Sequence, residues 1–271
     1  MDDSTFAGPL VSTKWLEDHL NDPQVRILDI CERPVYEQGH APGAVWVDWE
    51  EHLCAWVKGV EHMAPPPEQA ARIFGSWNIT PDTLVVAIDD RMSSRSARAF
   101  WLLRYYGHQP VAIVDGAREA WLREGRTLTT DEPEPGEGLY PVKAPDESIN
   151  ADWGRVLAAS GGGQVQLLDV RRREEYTGEE ARARRGGHIP GAVHIPWEAA
   201  MTDDGAFKSA AELDAIYPDE DETIAYCQGG VRAAHTWFVL SELLGREGVR
   251  NYDGSWAEWG NRDDLPAVTG D

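Results

Sequence analysis

The run VQLLDV at residues 165–170, Tyr176 and the turn HIPGAV at 188–193 have an earlier copy in the chain: VRILDI at 25–30, Tyr36 and HAPGAV at 40–45. Each Val/Ile/Leu run lacks the alternation of a half-solvated strand, so each suits a strand covered on both faces. Pro followed by Gly is turn chemistry, because Gly reaches positive φ at little cost. The match continues at a constant offset. LVVAI (84–88) pairs with TIAY (223–226), AFWLLRYYGH (99–108) with WFVLSELLGR (237–246), and VAIVDG (111–116) with VRNYDG (249–254). Gly107 and Gly245 follow the two helical runs, where a C-terminal glycine belongs. Asp115, Gly116 and Trp121 recur as Asp253, Gly254 and Trp259. Strand–helix alternation written twice predicts an α/β fold of two tandem domains, each a mostly parallel sheet flanked by helices.

The domains are expected at 8–128 and 149–262. The stretch between them, 129–148, is rich in Pro, Glu and Gly and reads as an extended linker. The second copy is longer between its Tyr and its His (176 to 188 against 36 to 40). The extra length falls in RRREEYTGEEARARRGG (171–187), which reads as a charged, solvated insertion.

Composition narrows the function classes. The chain has 271 residues, 42% of them apolar and 12 of them Trp, enough for packed cores. Acidic residues number 47 against 25 basic, a formal charge of −22, which argues against nucleic acid and anionic membranes as partners. No apolar run is long enough to span a bilayer. The opening MDDSTFAGPL lacks the basic-then-apolar order of a signal peptide. Cys31, Cys54 and Cys227 are widely spaced with no C-x-x-C, so neither a disulfide framework nor a zinc site is suggested. A reducing, cytoplasmic setting is expected. No metal or organic cofactor site is visible.

Two copies share a scaffold, so chemistry belongs where they diverge. After the second strand the later copy reads YCQGGVRAAHTW (226–237) and the earlier one IDDRMSSRSARA (88–99), which sets Cys227 opposite Asp89. A lone cysteine there is most simply a packing residue. Cysteine followed by two glycines and an arginine, between a strand and a helix, points instead to a nucleophile. Gly229 and Gly230 let the backbone curl so that N–H groups converge ahead of the helix. Such a cradle holds anions and favours a thiolate. Arg232 adds a positive fork suited to tetrahedral oxyanions. His235 lies farther along the helix and reads as a structural residue. His40 and His188 recur in both copies and read as turn anchors, Trp121 and Trp259 as core. Arg95 reads as an interface or surface residue, with donor binding as its alternative, and Cys31 and Cys54 read as packing residues, with a redox partnership to Cys227 as the alternative for Cys31.

These motifs resemble a known family. VRNYDGSWAEW (249–259) fits the C-terminal rhodanese signature at every position. YEQGHAPGA (36–44) resembles the N-terminal one, with Ala41 where an aliphatic residue is usual, and HIPGAVHIP (188–196) repeats the same turn. Together with CQGGVR (227–232), the chain resembles the two-domain rhodanese family, of the bacterial thiosulfate sulfurtransferase type, over nearly all of its length. The resemblance implies a silent N-terminal domain and a catalytic C-terminal one. It implies a ping-pong enzyme in which Cys227 takes the outer sulfur of an anionic small-molecule donor and passes it, as a persulfide, to cyanide or another thiophile. Loop amides of Gln228, Gly229, Gly230 and Val231 would stabilise the persulfide. Arg171 stands where the family has a substrate-binding arginine, and the first copy has Cys31 there.

The donor is read from departures. Mercaptopyruvate enzymes of the family carry C-G-S/A-G-V-T; here Gln228 and Arg232 replace the first Gly and the Thr. Thr177 occupies the place of their second arginine. Both differences favour thiosulfate, although the lysine found two residues after the cysteine in vertebrate-type loops is Gly229 here. Two alternatives stay open: 3-mercaptopyruvate as donor, and a sulfur relay whose acceptor is a protein thiol. A related phosphatase loop is C-x5-R, one residue longer than C-x4-R here.

Overall fold

The computed structural model describes residues 8–270, so most of the reading of MDDSTFAGPL falls outside the described residues. In chain order the strands are β1 Leu10–Val11, β2 Val25–Asp29, β3 Val45–Trp46, β4 Ala55–Val57, β5 Val60–Met63, β6 Leu84–Ile88 and β7 Val111–Val114. Then follow β8 Asn150–Ala151, β9 Gln166–Asp169, β10 Val193–His194, β11 Thr223–Tyr226 and β12 Val249–Tyr252. One five-stranded sheet has the order β1-β7-β6-β2-β3 and the other, read from its far edge, β8-β12-β11-β9-β10. Every neighbour pair in both is parallel. The two halves thus share one topology. Their central strands explain the missing alternation: β6 and β11 are buried at every residue. Among the described residues no helix is long and apolar enough to cross a membrane.

The repeated Tyr and His-x-Pro-Gly-Ala motif is a self-locking turn. Tyr36 donates to the Ala44 carbonyl at 2.7 Å and Tyr176 to that of Ala192 at 3.1 Å. Each tyrosine stacks on the histidine of its own turn, at 3.6 Å for His40 and 3.7 Å for His188. Both histidines also bond through Nδ1 to the tyrosine carbonyl. Gly43 and Gly191 supply the left-handed step, with φ of 79° and 83°.

The compact units do not follow the sequence halves without exception. One comprises residues up to 53, 65–145 and 201–207; the other comprises 54–64, 146–200 and 208 onward. The β4–β5 hairpin, turned by Lys58 and Gly59 at φ of 50° and 85°, is therefore part of the second unit although it lies in the first repeat. The paired positive φ values suit the tight two-residue reversal of a hairpin. The expected segments 8–128 and 149–262 are contiguous, whereas each compact unit takes in a short piece of the other repeat.

In the second unit the core gathers Leu167, Ile224, Tyr226, Tyr252, Trp256 and Trp259, each at most 2% exposed. Consecutive strands run outward in opposite directions from the β9/β11 pair. The crevice beyond such a pair is where open α/β sheets bind ligands.

Candidate active site

Cys227 follows β11 directly, and the helix Val231–Phe238 starts four residues later. Gly230 makes the turn between them at φ 73°. Ser255, itself left-handed at φ 48°, braces the loop from behind. Its hydroxyl accepts the N–H groups of Cys227 and Gly230, both at 3.1 Å, and donates to the Tyr252 carbonyl at 2.6 Å. Its oxygen lies 4.0 Å from the Cys227 sulfur. The outer edge of the loop is pinned as well, since Trp256 and Ala257 donate their amides to the carbonyls of Cys227 and Gln228. The sulfur is thus held at the mouth of a rigid turn, with Cys227 itself 1% exposed.

The first half shows what fills the equivalent turn there. Asp89, at the position of Cys227, accepts the amides of Arg91 at 2.7 Å, Ser93 at 3.0 Å and Ser96 at 2.6 Å. Its oxygens occupy the amide cradle from within. Burial pushes its carboxyl above the usual range, and the three amides oppose that rise. In the second half Gly229 and Val231 stand at the positions of Arg91 and Ser93. Among the described residues their amides, and that of Gln228, meet no protein acceptor. Gly230 differs from expectation, because its amide is already given to Ser255. The Gln228 side chain also turns away from the loop interior, donating to the Arg182 carbonyl at 3.0 Å.

Arg171 is placed apart from the loop of Cys227. It is 1% exposed, lies in the core, and holds Asp169 by two nitrogens at 2.9 and 2.5 Å. It also bonds the Gly187 carbonyl at 2.7 Å and stacks on Trp256. The first half fills the same need from a different place. There Arg118, at the position of Trp256, pairs with Asp29 and donates to the Gly39 carbonyl. Cys31 with Arg118 in one half thus trades places with Arg171 with Trp256 in the other. The shared task is to neutralise a buried aspartate and to satisfy the carbonyl ahead of the histidine turn.

Arg232 interacts electrostatically with Cys227. Its two terminal nitrogens grip the Glu175 carboxylate at 2.7 and 3.0 Å. Burial opposes its charge, while Glu175 and the Cys227 sulfur hold its basicity above the usual guanidinium value. Burial alone would raise the Glu175 carboxyl, but the Arg232 fork outweighs it and holds the group down at about 2. RRREEY is therefore not wholly solvated, because Glu175 is 1% exposed. His235 is fully buried beside Trp197, and burial lowers its pKa to about 3, in line with a structural role. Thr177 is partly exposed, and its hydroxyl reaches the Glu174 carbonyl at 3.4 Å.

Two stretches match the description Rhodanese-like domain, residues 12–124 and 152–262. The chain belongs to the rhodanese family. Relatives align with it over nearly its whole length. It is 41% identical to a protein of Thermus thermophilus named sulfur carrier protein TtuD, over 98% of this chain and 99% of that one. It is 40% identical to a putative thiosulfate sulfurtransferase, SseA, of Mycobacterium tuberculosis, over 99% and 94% of the two chains. The fold superposes on SseA of Escherichia coli, described as a 3-mercaptopyruvate sulfotransferase, with TM-score 0.80 and 28% identity over 92% and 99%.

Sequence reasoning missed three residues of this second compact unit. Ser255 stands opposite Ala117, a divergence visible in the aligned repeats. Glu175 was lost in a charged run. His62, on β5, packs on the loop so closely that a Cβ built on Gly229 would fall 2.9 Å from its Cβ. The backbone amide of Ala64 in the same arm donates to Asp253 at 2.6 Å.

Proposed function

We propose that this rhodanese family member is a sulfurtransferase that moves sulfane sulfur from thiosulfate to a thiophile by way of a Cys227 persulfide. The observation that carries the reading is the amide turn around Cys227, whose counterpart in the silent half already cradles the oxygens of Asp89. The Cys227 thiolate attacks the outer sulfur of thiosulfate. A new S–S bond forms, the old one breaks, and sulfite leaves with the electron pair. Amides of Gly229 and Val231 take up the charge on the outer persulfide sulfur. Cyanide or a thiolate then attacks that sulfur and the Cys227 thiolate returns. Arg232 draws the anionic donor toward the sulfur; Arg171 acts on the frame of the site and not on the donor.

A second reading has its own support. The Thermus relative, 41% identical over almost the whole length, is named a sulfur carrier protein, which favours a protein thiol as the acceptor of the same persulfide. The Escherichia coli likeness keeps 3-mercaptopyruvate in view as donor. The test is kcat/KM for thiosulfate and for 3-mercaptopyruvate, side by side with cyanide. The proposal expects preference for thiosulfate, no transfer in Cys227→Ser, and a greater loss for thiosulfate than for mercaptopyruvate in Arg232→Thr. Full activity in Cys227→Ser refutes the mechanism, and an unchanged donor ratio in Arg232→Thr refutes the donor assignment.

A further inference from the structure

Beside the nucleophile lies an ion pair that the fold does not require. Glu175 and Arg232 are separated by 57 residues and joined by two hydrogen bonds. At the equivalent positions the silent half has Val35 and Ser94 and builds the same sheet and helices. Both members of the pair are present where the cysteine is present and both are replaced where it is not. Buried ion pairs are weak stabilisers, because desolvation offsets most of the attraction. Their presence in one copy alone therefore points to use and not to folding.

The geometry says what the use is. A guanidinium has an end-on edge, formed by its two terminal nitrogens, and a side-on edge, formed by Nε–H with one terminal N–H. Glu175 takes the end-on edge of Arg232. Among the described residues the hydrogen bonds of Arg232 use its two terminal nitrogens and leave Nε without an acceptor. The carboxylate is itself held from other sides. It is 1% exposed, receives the Arg172 amide at 3.3 Å, and lies 3.9 Å from an Arg182 nitrogen. Arg232 retains 17% exposure, so its remaining edge reaches solvent near Cys227.

We infer that Glu175 is a positioning residue for the sulfur donor: it clamps Arg232 by the end-on edge, so that the side-on edge is held ready for an oxygen pair of an anionic donor. The inference rests on the reading of Cys227 as acceptor of sulfur from such a donor. It also runs against a simple charge count. Removing a carboxylate makes the site more positive and by charge alone improves anion binding. Clamping predicts the reverse, since a freed guanidinium loses its orientation.

The test is a double-mutant cycle with thiosulfate, and with 3-mercaptopyruvate in parallel, on Glu175→Gln, Arg232→Thr and the double variant. Thermal unfolding and alkylation of Cys227 serve as folding controls. Glu175→Gln is expected to raise the donor KM about tenfold, the scale of one well-placed charge-assisted hydrogen bond, with a smaller change in kcat. In the Arg232→Thr background the same change is expected to alter KM by no more than about twofold, because independent sites add and a clamp without its arginine has nothing to hold. Arg232→Lys, which keeps the charge and loses the fork, should raise KM as Glu175→Gln does and covers the case in which the latter fails to fold. An unchanged or lowered KM in Glu175→Gln, or in Arg232→Lys, overturns the clamp while leaving the Cys227 reading intact. A wild-type protein that turns over neither donor overturns both.

Discussion

Cys227 is set apart by what surrounds it. Its loop is braced by Ser255, its neighbouring amides are free to receive charge, and Arg232 stands close by. Arg171, which the family resemblance assigns to substrate, is tied to Asp169 and the Gly187 carbonyl with the same logic that ties Arg118 to Asp29 and Gly39. Arg171→Ala leaves Asp169 buried and unpaired, a change that costs about 3–5 kcal/mol. The expected outcome is a large drop in the thermal midpoint, with equal loss of activity toward both donors. An unchanged midpoint with a raised KM for one donor would return Arg171 to donor binding. The sequence made Cys227 legible because glycine and arginine spacing is local. Glu175 was not legible, because its burial depends on an arginine 57 residues away. A carboxylate inside RRREE looks solvated until that partner is known.

The elements that matter most are the turn after β11 and the hairpin β4–β5. The turn, the strands and the tyrosine-histidine locks were readable from the repeat, since each follows from local pattern. The placement of the hairpin in the second unit was not, because nothing in the AWVKGVEHM run says which unit it packs with. The hairpin brings His62, at φ 59°, to within van der Waals limits of Gly229. A methyl group at Gly229 would press on His62 Cβ and Nδ1, both at 2.9 Å, so the arm has to move. Gly229→Ala is expected to cost about 1–3 kcal/mol through overpacking. Limited proteolysis should then cut within 54–64 faster than in the parent protein. Equal cleavage rates and an equal thermal midpoint would show that the arm does not lean on the loop.

At the scale of the whole molecule, buried neutral histidines couple stability to pH. Burial lowers His235 to about 3 and His108 to about 4. Both values lie below the ordinary 6.5, so the unfolded chain binds these protons more readily. Their contribution is complete above about pH 6.5 and falls as pH drops toward the folded values, by roughly 2 kcal/mol per group at pH 5. Glu175, held at about 2, adds a second loss below its ordinary 4.5. The thermal midpoint should therefore decline between pH 7 and pH 5, above the range where most carboxylates titrate. A flat midpoint across that window contradicts neutral burial of both rings.

The central claim is that sulfur rests on Cys227 between the two half-reactions. Its most direct test is peptide mass spectrometry of the protein treated with thiosulfate alone, before and after addition of cyanide. The account predicts that the peptide containing Cys227 gains one sulfur atom, that cyanide removes it, and that peptides containing Cys31 and Cys54 stay unchanged. A gain on Cys31 or Cys54 with none on Cys227 would contradict it.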